Sequence, residues 1–142
     1  MAEKYFVDTN ILLYAHDRSA GFKHQRAQAV IEQLWESGHG VLSTQVLQEL
    51  CINLRRKPAQ PLPAEEIRPL IEDYCTWEVV LNTPSAVIQA LNIELRYKIS
   101  YWDALIVHAA EQAGADILYS EGLTAGQTYG SVMVVNPLLH KA

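Results

Sequence analysis

The sequence predicts an α/β fold, a three-layer α/β/α sandwich with a central parallel sheet. Short runs of apolar, aromatic and β-branched residues recur along the chain and are typical of buried strands. The longer segments between them carry apolar residues at the three-and-four spacing of amphipathic helices. Strands that alternate with helices pair in parallel through helical crossovers, so we expect helices on both faces of the sheet.

Five runs are predicted to be strands, and the first of them ends at an acidic residue. They cover residues 4–7, 41–42, 78–81, 116–119 and 131–135. Asp8 directly follows the first run, so we expect it at the carboxyl end of a strand. Open α/β sheets bind their ligands at that edge.

Six helices are predicted between these strands, over about residues 11–15, 21–37, 45–56, 64–74, 84–96 and 102–113. Their ends carry suitable capping residues. Thr83 precedes a proline in the first turn of the fifth helix, and Gly38 and Gly114 follow the second and the sixth. The first helix is apolar without a break and is expected to be largely buried.

Length and composition favour one domain that covers residues 1–142. No segment reaches the roughly 18 consecutive apolar residues of a membrane span, and the N-terminus does not resemble a signal peptide. Cys51 and Cys75 lack metal-type spacing and are expected to be buried, reduced thiols. These features together predict a cytoplasmic protein without a membrane partner.

The net charge of −5 argues against a protein that coats nucleic acid through a broad basic surface. It is compatible with a metal-dependent nuclease, because such an enzyme concentrates carboxylates in its site and bound cations reverse the local field.

Three carboxylates are candidates for a functional site, and each also has a structural interpretation. Asp8 stands where its side chain can cap the following helix. Asp103 is the fourth residue of a capping-box pattern that begins at Ser100. Glu49 lies outside the apolar arc of its helix, where a glutamate is most often solvated.

Taken together, the three acids favour a functional site over three separate structural roles. One follows a strand and two lie on helices, and these elements can meet at one edge of the sheet. Like charges brought together raise one another's pKa unless a cation neutralises them. Oxygen ligands favour Mg²⁺ or Mn²⁺, and no pair of histidines or cysteines offers a zinc set. The acids therefore predict a hard divalent cation.

Three segments resemble motifs of PIN-domain proteins, particularly the VapC-type toxins of bacterial toxin–antitoxin pairs. They are residues 6–15 (FVDTNILLYA), 43–49 (STQVLQE) and 100–106 (SYWDALI), and they occur in the family's order. Their acids map to Asp8, Glu49 and Asp103. The resemblance implies that these three residues bind Mg²⁺ or Mn²⁺ and catalyse RNA hydrolysis, and that Thr9, Asn10 and Ser120 orient them. It also implies a homodimer and a small antitoxin protein as partner.

The fourth motif departs from the family pattern. Residues 119–123 (YSEGL) place Gly122 where the family usually has Asp or Asn. The neighbouring Glu121 is either a replacement catalytic acid or a solvated loop residue. Gly122 therefore keeps a second hypothesis open, in which the domain binds RNA or a protein without efficient cleavage. A phosphatase or a DNA nuclease would use the same acids.

Several other residues have both a functional and a structural interpretation. Trp102 belongs to an apolar stripe and is expected in the core, although it or Tyr101 can stack on a base. His108 is expected to be structural. The candidates for contact with RNA phosphates are Arg18, Lys23, Arg26, Arg55 and Arg56, although each can equally be a solubilising charge.

Overall fold

The computed structural model describes residues 3–139. Within that range the strands are β1 (Tyr5–Val7), β2 (Gly40–Ser43), β3 (Glu78–Val80), β4 (Ile117–Tyr119), β5 (Thr128–Tyr129) and β6 (Val132–Val135). The helices are α1 (Thr9–His16), α2 (Phe22–Ser37), α3 (Thr44–Leu54), α4 (Ala64–Tyr74), α5 (Pro84–Tyr97) and α6 (Tyr101–Gln112). A single 3-10 turn at Arg18–Ala20 joins α1 to α2.

The strands form one sheet in the order β3-β2-β1-β4-β6-β5. All neighbours pair in parallel except β5 and β6, which are antiparallel. The predicted α/β sandwich is thus confirmed, with one antiparallel strand added at its edge. The strand β5 was not predicted, because two residues are too short for a periodic pattern. It joins β6 through a tight turn in which Gly130 has a φ of 59°.

The central strands are buried because helices cover the sheet. Phe6 and Val7 of β1 and Leu118 of β4 are fully buried. The helix α1 is largely buried, as expected, with Ile11 and Leu12 inaccessible to solvent. Strands that are buried in this way read as continuous apolar runs, which explains why the sequence located them.

The ends of α2 and the start of α5 agree with the sequence because the capping residues act as expected, whereas α1 begins two residues before the predicted start and α3 ends at Leu54, two residues before the predicted end. The helix α2 begins after Gly21 and ends at Gly38, which adopts the left-handed conformation with a φ of 75°. Thr83 Oγ1 accepts a hydrogen bond of 3.3 Å from Ala86 N at the start of α5.

The expected burial of both cysteines is only partly correct. Both thiols are free, but Cys51 is half-buried and Cys75 is exposed. Cys75 is the C-cap residue of α4 and directly follows the buried Tyr74, the last residue of that helix. Among residues 3–139, no helix combines the length and the apolar character that crossing a membrane requires.

The direction in which strands are added to the sheet reverses at β1. From β1 the chain passes through α1 and α2 to β2 on one side, whereas β4 lies on the other side and is reached from α6. Ligands bind at such a reversal, outside the carboxyl ends of the strands. Asp8 follows β1 and Ser120 follows β4, so both residues stand at this position.

Candidate active site

Asp8 is held from two directions at the carboxyl end of β1. Its Oδ1 accepts a hydrogen bond of 2.7 Å from Thr9 N, and its Oδ2 accepts one of 2.9 Å from Ser120 Oγ. Ser120 is fully buried and also accepts a bond of 3.2 Å from Leu123 N. Asp8 is the N-cap of α1, but its side chain bonds the first helical amide and not the second or third. The first amide of α1 and the residue after β4 therefore fix this carboxylate.

Burial raises the pKa of Asp8 to about 6. The hydrogen bonds from Ser120 and Thr9 oppose this rise, whereas the negative charges of Asp103 and Glu49 add to it. The three carboxylates are therefore close enough for Asp103 and Glu49 to disfavour the charge on Asp8.

Glu49 is held by the helix that Asp8 caps. Thr9 Oγ1 donates a hydrogen bond of 2.6 Å to Glu49 Oε1. Gln45, one turn earlier on α3, donates a longer bond of 3.5 Å to Glu49 Oε2. Thr9 is buried and Glu49 is half-buried, so Glu49 is hydrogen-bonded to the protein and is not a fully solvated residue. These contacts direct its carboxylate towards the start of α1.

Asp103 makes only half of the predicted capping box. Its backbone amide donates a bond of 3.1 Å to Ser100 Oγ, which caps α6. Within the described chain its carboxylate accepts no hydrogen bond and does not reach back to the amide of Ser100. Capping therefore does not occupy this carboxylate, and its charge acts on Asp8.

The chemistry of these donors fits a hard divalent cation. Among residues 3–139, no lysine, arginine or histidine forms an ion pair with Asp8, Glu49 or Asp103. Carboxylate oxygens with no protein counter-charge are suitable ligands for Mg²⁺ or Mn²⁺. In the same range, however, no three His, Cys, Asp or Glu side chains lie close enough together to enclose one ion. The site thus presents suitable ligands that are not drawn together around an ion.

Glu121 points to a different part of the molecule. Its Oε2 lies 2.6 Å from Lys23 Nζ, and its Oε1 accepts a hydrogen bond of 2.7 Å from Tyr14. Burial raises the pKa of Glu121, but the bonds from Lys23 and Tyr14 outweigh that effect and leave the pKa below its ordinary value. Gly122 is exposed and brings no side chain to the site. The structure therefore joins Glu121 to α1 and α2 and leaves three carboxylates at the sheet edge.

Two of the three residues that were expected to orient the acids contact them, and the third does not. Thr9 and Ser120 contact carboxylates of the candidate site, whereas Asn10 forms no side-chain hydrogen bond within residues 3–139. Gln45 was not predicted, although it is buried and also donates a bond of 3.3 Å to the carbonyl of Trp102. Gln45 could have been predicted as a contact of Glu49, because it lies four residues earlier on the same face of the helix.

The basic candidates for RNA contact have different surroundings. Lys23 is paired with Glu121, and Arg26 donates to the carbonyls of Pro137 and Leu139 at 3.4 Å and 3.2 Å. Arg18, Arg55 and Arg56 are exposed.

The expectation that Trp102 lies in the core is wrong, because 61% of its surface is exposed. Trp102 is the second residue of α6, and the buried residues of that helix begin only at Ala104. Its indole ring is therefore available beside the carboxylates.

Comparison with known proteins adds a family to this geometry. Residues 5–123 match the sequence model of the PIN domain family. No curated protein matches the sequence. The solved structures that share the fold include the following three.

The Mycobacterium tuberculosis protein VapC20, described as a sarcin-ricin loop cleaving toxin, is 24% identical to this chain and superposes with a TM-score of 0.65. The match covers 84% of this chain and 91% of that chain. A toxin–antitoxin complex from Klebsiella pneumoniae contains a chain that is 15% identical with a TM-score of 0.68, over 94% and 98% of the two chains. A chain of DNA-bound VapBC from Salmonella typhimurium is 18% identical with a TM-score of 0.63, and the match covers 94% of this chain and 97% of that chain.

Proposed function

This chain belongs to the PIN-domain family, and from that membership we propose that it is a Mg²⁺- or Mn²⁺-dependent endoribonuclease of the VapC toxin type. We take residues 1–142 as one nuclease domain. The proposal assigns catalysis and metal binding to Asp8, Glu49 and Asp103.

The proposal is carried by the effect of Asp103 and Glu49 on Asp8, whose pKa both raise, although the three side chains are not drawn together around an ion. Each carboxylate comes from a different element, and Ser120 and Thr9 hold two of them by hydrogen bonds of 2.9 Å and 2.6 Å. Like charges that act on one another are costly unless a cation or a proton neutralises them, and no protein cation within residues 3–139 pairs with these partly buried carboxylates. A site that gathers uncompensated carboxylates at a ligand-binding edge is suited to a divalent metal.

In this mechanism Asp8, Glu49 and Asp103 would hold the metal. A bound divalent cation supplies charge neutralisation and Lewis acidity for the hydrolysis of a phosphodiester bond. Ser120 donates its hydroxyl proton to Asp8 Oδ2 and so fixes the direction of that carboxylate. Thr9 does the same for Glu49 Oε1. Such orienting bonds keep ligands in place and are a general requirement of metal sites.

The proposed partners follow from the same assignment. The proposed substrate is RNA, and the similarity in fold to VapC20, a sarcin-ricin loop cleaving toxin, supports a toxin that cleaves its target. A small antitoxin protein would block the acidic site with a basic side chain, which the uncompensated carboxylates attract. The Klebsiella structure, a toxin–antitoxin complex, supports a partner of this kind. We further propose a homodimer in the cytoplasm, where the two free thiols would stay reduced.

The decisive experiment compares RNA cleavage by the wild-type chain and by Asp8→Asn. Wild type should cleave RNA only with Mn²⁺ or Mg²⁺, and Asp8→Asn should have no activity. Asp73→Asn is the matched control, because Asp73 is exposed on α4, and it should cleave normally. Undiminished cleavage by Asp8→Asn would refute the proposal. DNA and small phosphate esters, assayed in parallel, separate a ribonuclease from a DNA nuclease or a phosphatase.

One observation favours a second candidate function, a domain that binds RNA or a protein without efficient cleavage. Gly122 supplies no carboxylate, and the neighbouring Glu121 is engaged by Lys23 and Tyr14. The site then has three acids where the family pattern has four. Metal-dependent RNA binding without cleavage would identify this alternative.

A further inference from the structure

A groove beside the candidate site lies between α3 and the first turn of α6. Its volume is about 310 Å³, near the lower limit of roughly 300–1,000 Å³ for small-molecule sites. The residues that line it are Gln45, Gln48, Glu49, Ile52, Asn53 and Trp102. Because Glu49 forms part of its wall, the groove is continuous with the acidic site. A ligand in the groove would lie next to the position where a phosphodiester bond is cut.

The apolar part of this groove is unusually exposed. Trp102 exposes 61% of its surface and Ile52 exposes 44%. The Trp102 ring contacts Tyr101 edge-on, with centroids 5.2 Å apart and an interplanar angle of 78°. The bond from Gln45 Nε2 to the Trp102 carbonyl ties the backbone at this point to α3. Trp102 is therefore a large aromatic surface on a fixed element.

The polar part of the groove consists of three amide side chains and the carboxylate of Glu49, and no lysine or arginine lines it. Gln45 Oε1 is buried and, within residues 3–139, has no hydrogen-bond partner. Because this oxygen is inaccessible from the groove, the amides that a ligand edge can reach are those of Gln48, which is exposed, and Asn53, which is half-buried. The absence of basic residues disfavours a phosphate in this groove. A neutral, flat ligand with donors and acceptors along its edge fits these features.

We propose that this groove binds one unpaired nucleobase of the RNA substrate, stacked on Trp102, with amide side chains facing its edge. The inference rests on the proposed ribonuclease function. Proteins read single-stranded RNA by stacking its bases on aromatic rings and by hydrogen bonds to the base edges. Glutamine and asparagine are suited to such edges. The base would place the adjoining phosphodiester beside Glu49.

The first test measures RNA affinity without cleavage. A labelled single-stranded oligoribonucleotide is titrated with protein in the presence of a chelator, and its fluorescence anisotropy is followed. Trp102→Ala should weaken binding roughly 5- to 150-fold, the contribution of one stacked base. Trp102→Tyr should stay within about twofold of wild type, because it retains an aromatic ring. Leu95→Ala is the matched control, since Leu95 on α5 is 77% exposed.

The second test locates the base directly. An oligoribonucleotide that carries 5-bromouridine is cross-linked by light, and the modified peptide is identified by mass spectrometry. The cross-link should lie on Trp102 or Tyr101. A cross-link confined to another part of the chain would overturn the inference.

The outcomes separate this inference from the proposed function. If wild type cleaves RNA but Trp102→Ala binds like Leu95→Ala, the base site is wrong and the nuclease stands. If RNA is not cleaved but binding and cross-linking depend on Trp102, the base site stands and the nuclease is wrong. A Trp102→Ala variant with normal RNA affinity but altered sedimentation would instead mark a protein interface and overturn the base site.

Discussion

Lys23 Nζ lies 2.6 Å from Glu121 Oε2, and this ion pair separates Glu121 from the three carboxylates at the sheet edge. The same lysine lies over the ring of Tyr14, 5.1 Å from its centroid, and the Tyr14 hydroxyl binds the other oxygen of Glu121. The negative charge nearest to Gly122 in the sequence is therefore neutralised by α2. The contacts of Glu121 are those of a residue that links the loop after β4 to the helices.

Glu121→Gln is expected to retain most of the RNA cleavage activity. The ion pair is partly exposed, so its loss should lower the free energy of unfolding by about 0.2–1 kcal/mol. Lys23→Met should destabilise the protein to a similar extent, because it removes the other half of the pair. Cleavage rates and urea denaturation of both variants provide the check. A loss of activity as complete as that of Asp8→Asn would instead make Glu121 a catalytic acid.

Gly122→Asp is expected to fold with wild-type stability, within about 0.5 kcal/mol. A Cβ at this position would meet no atom within 4 Å, and the residue has no positive φ. If the missing acid limits metal binding, the variant should bind Mn²⁺ more tightly and cleave RNA faster. Gly122→Asn supplies the same shape without the charge. Calorimetric Mn²⁺ titration of both variants measures the effect, and equal affinities would count against the missing acid as the limit.

Thr9→Val is expected to lower Mn²⁺ affinity or activity about 10- to 100-fold, the usual cost of losing a group that orients a metal ligand. Valine has the shape of threonine but cannot donate the bond of 2.6 Å to Glu49 Oε1. Thr9→Ser retains the hydroxyl group and should keep most of the affinity. Mn²⁺ titration compares the two variants. If both lose affinity equally, packing and not the hydrogen bond explains the effect.

The metal-free protein should become less stable as the pH rises from about 4 to about 6. Folding raises the pKa of Asp8 from 3.8 to about 6, so within this range the unfolded chain loses a proton that the folded chain keeps. The loss ends above the folded pKa. It amounts to at most about 3 kcal/mol, because one pKa unit corresponds to roughly 1.4 kcal/mol.

Asp8→Asn should remove this pH dependence. Its free energy of unfolding at pH 7.5 should exceed that of metal-free wild type, while the two proteins should differ less at pH 4. Chemical denaturation at several pH values in the presence of a chelator measures both quantities. An Asn variant that is less stable than wild type at pH 7.5 would show that the hydrogen bonds of Asp8 outweigh its burial.

Much of the fold follows from local sequence patterns. The predicted helix over residues 64–74 coincides with α4, and Gly21 and Gly38 flank α2 as expected. These features depend on short-range effects, namely apolar spacing, capping groups and the freedom of glycine to adopt a positive φ. The two-residue strand β5 was missed, because its pairing with β6 depends on the hairpin that joins them.

The sequence by itself determined the family motifs, their order and the acids Asp8, Glu49 and Asp103 as candidates, since these depend only on residue type and spacing along the chain. Only the tertiary structure decided that Ser120 and Thr9 hold two of those acids, that Glu121 turns to Lys23, and that Trp102 is exposed beside Glu49. The physical reason is that Asp8 and Ser120 are 112 residues apart in the sequence. Contacts over such separations arise from the pairing of strands and the packing of helices, which set the direction of each side chain.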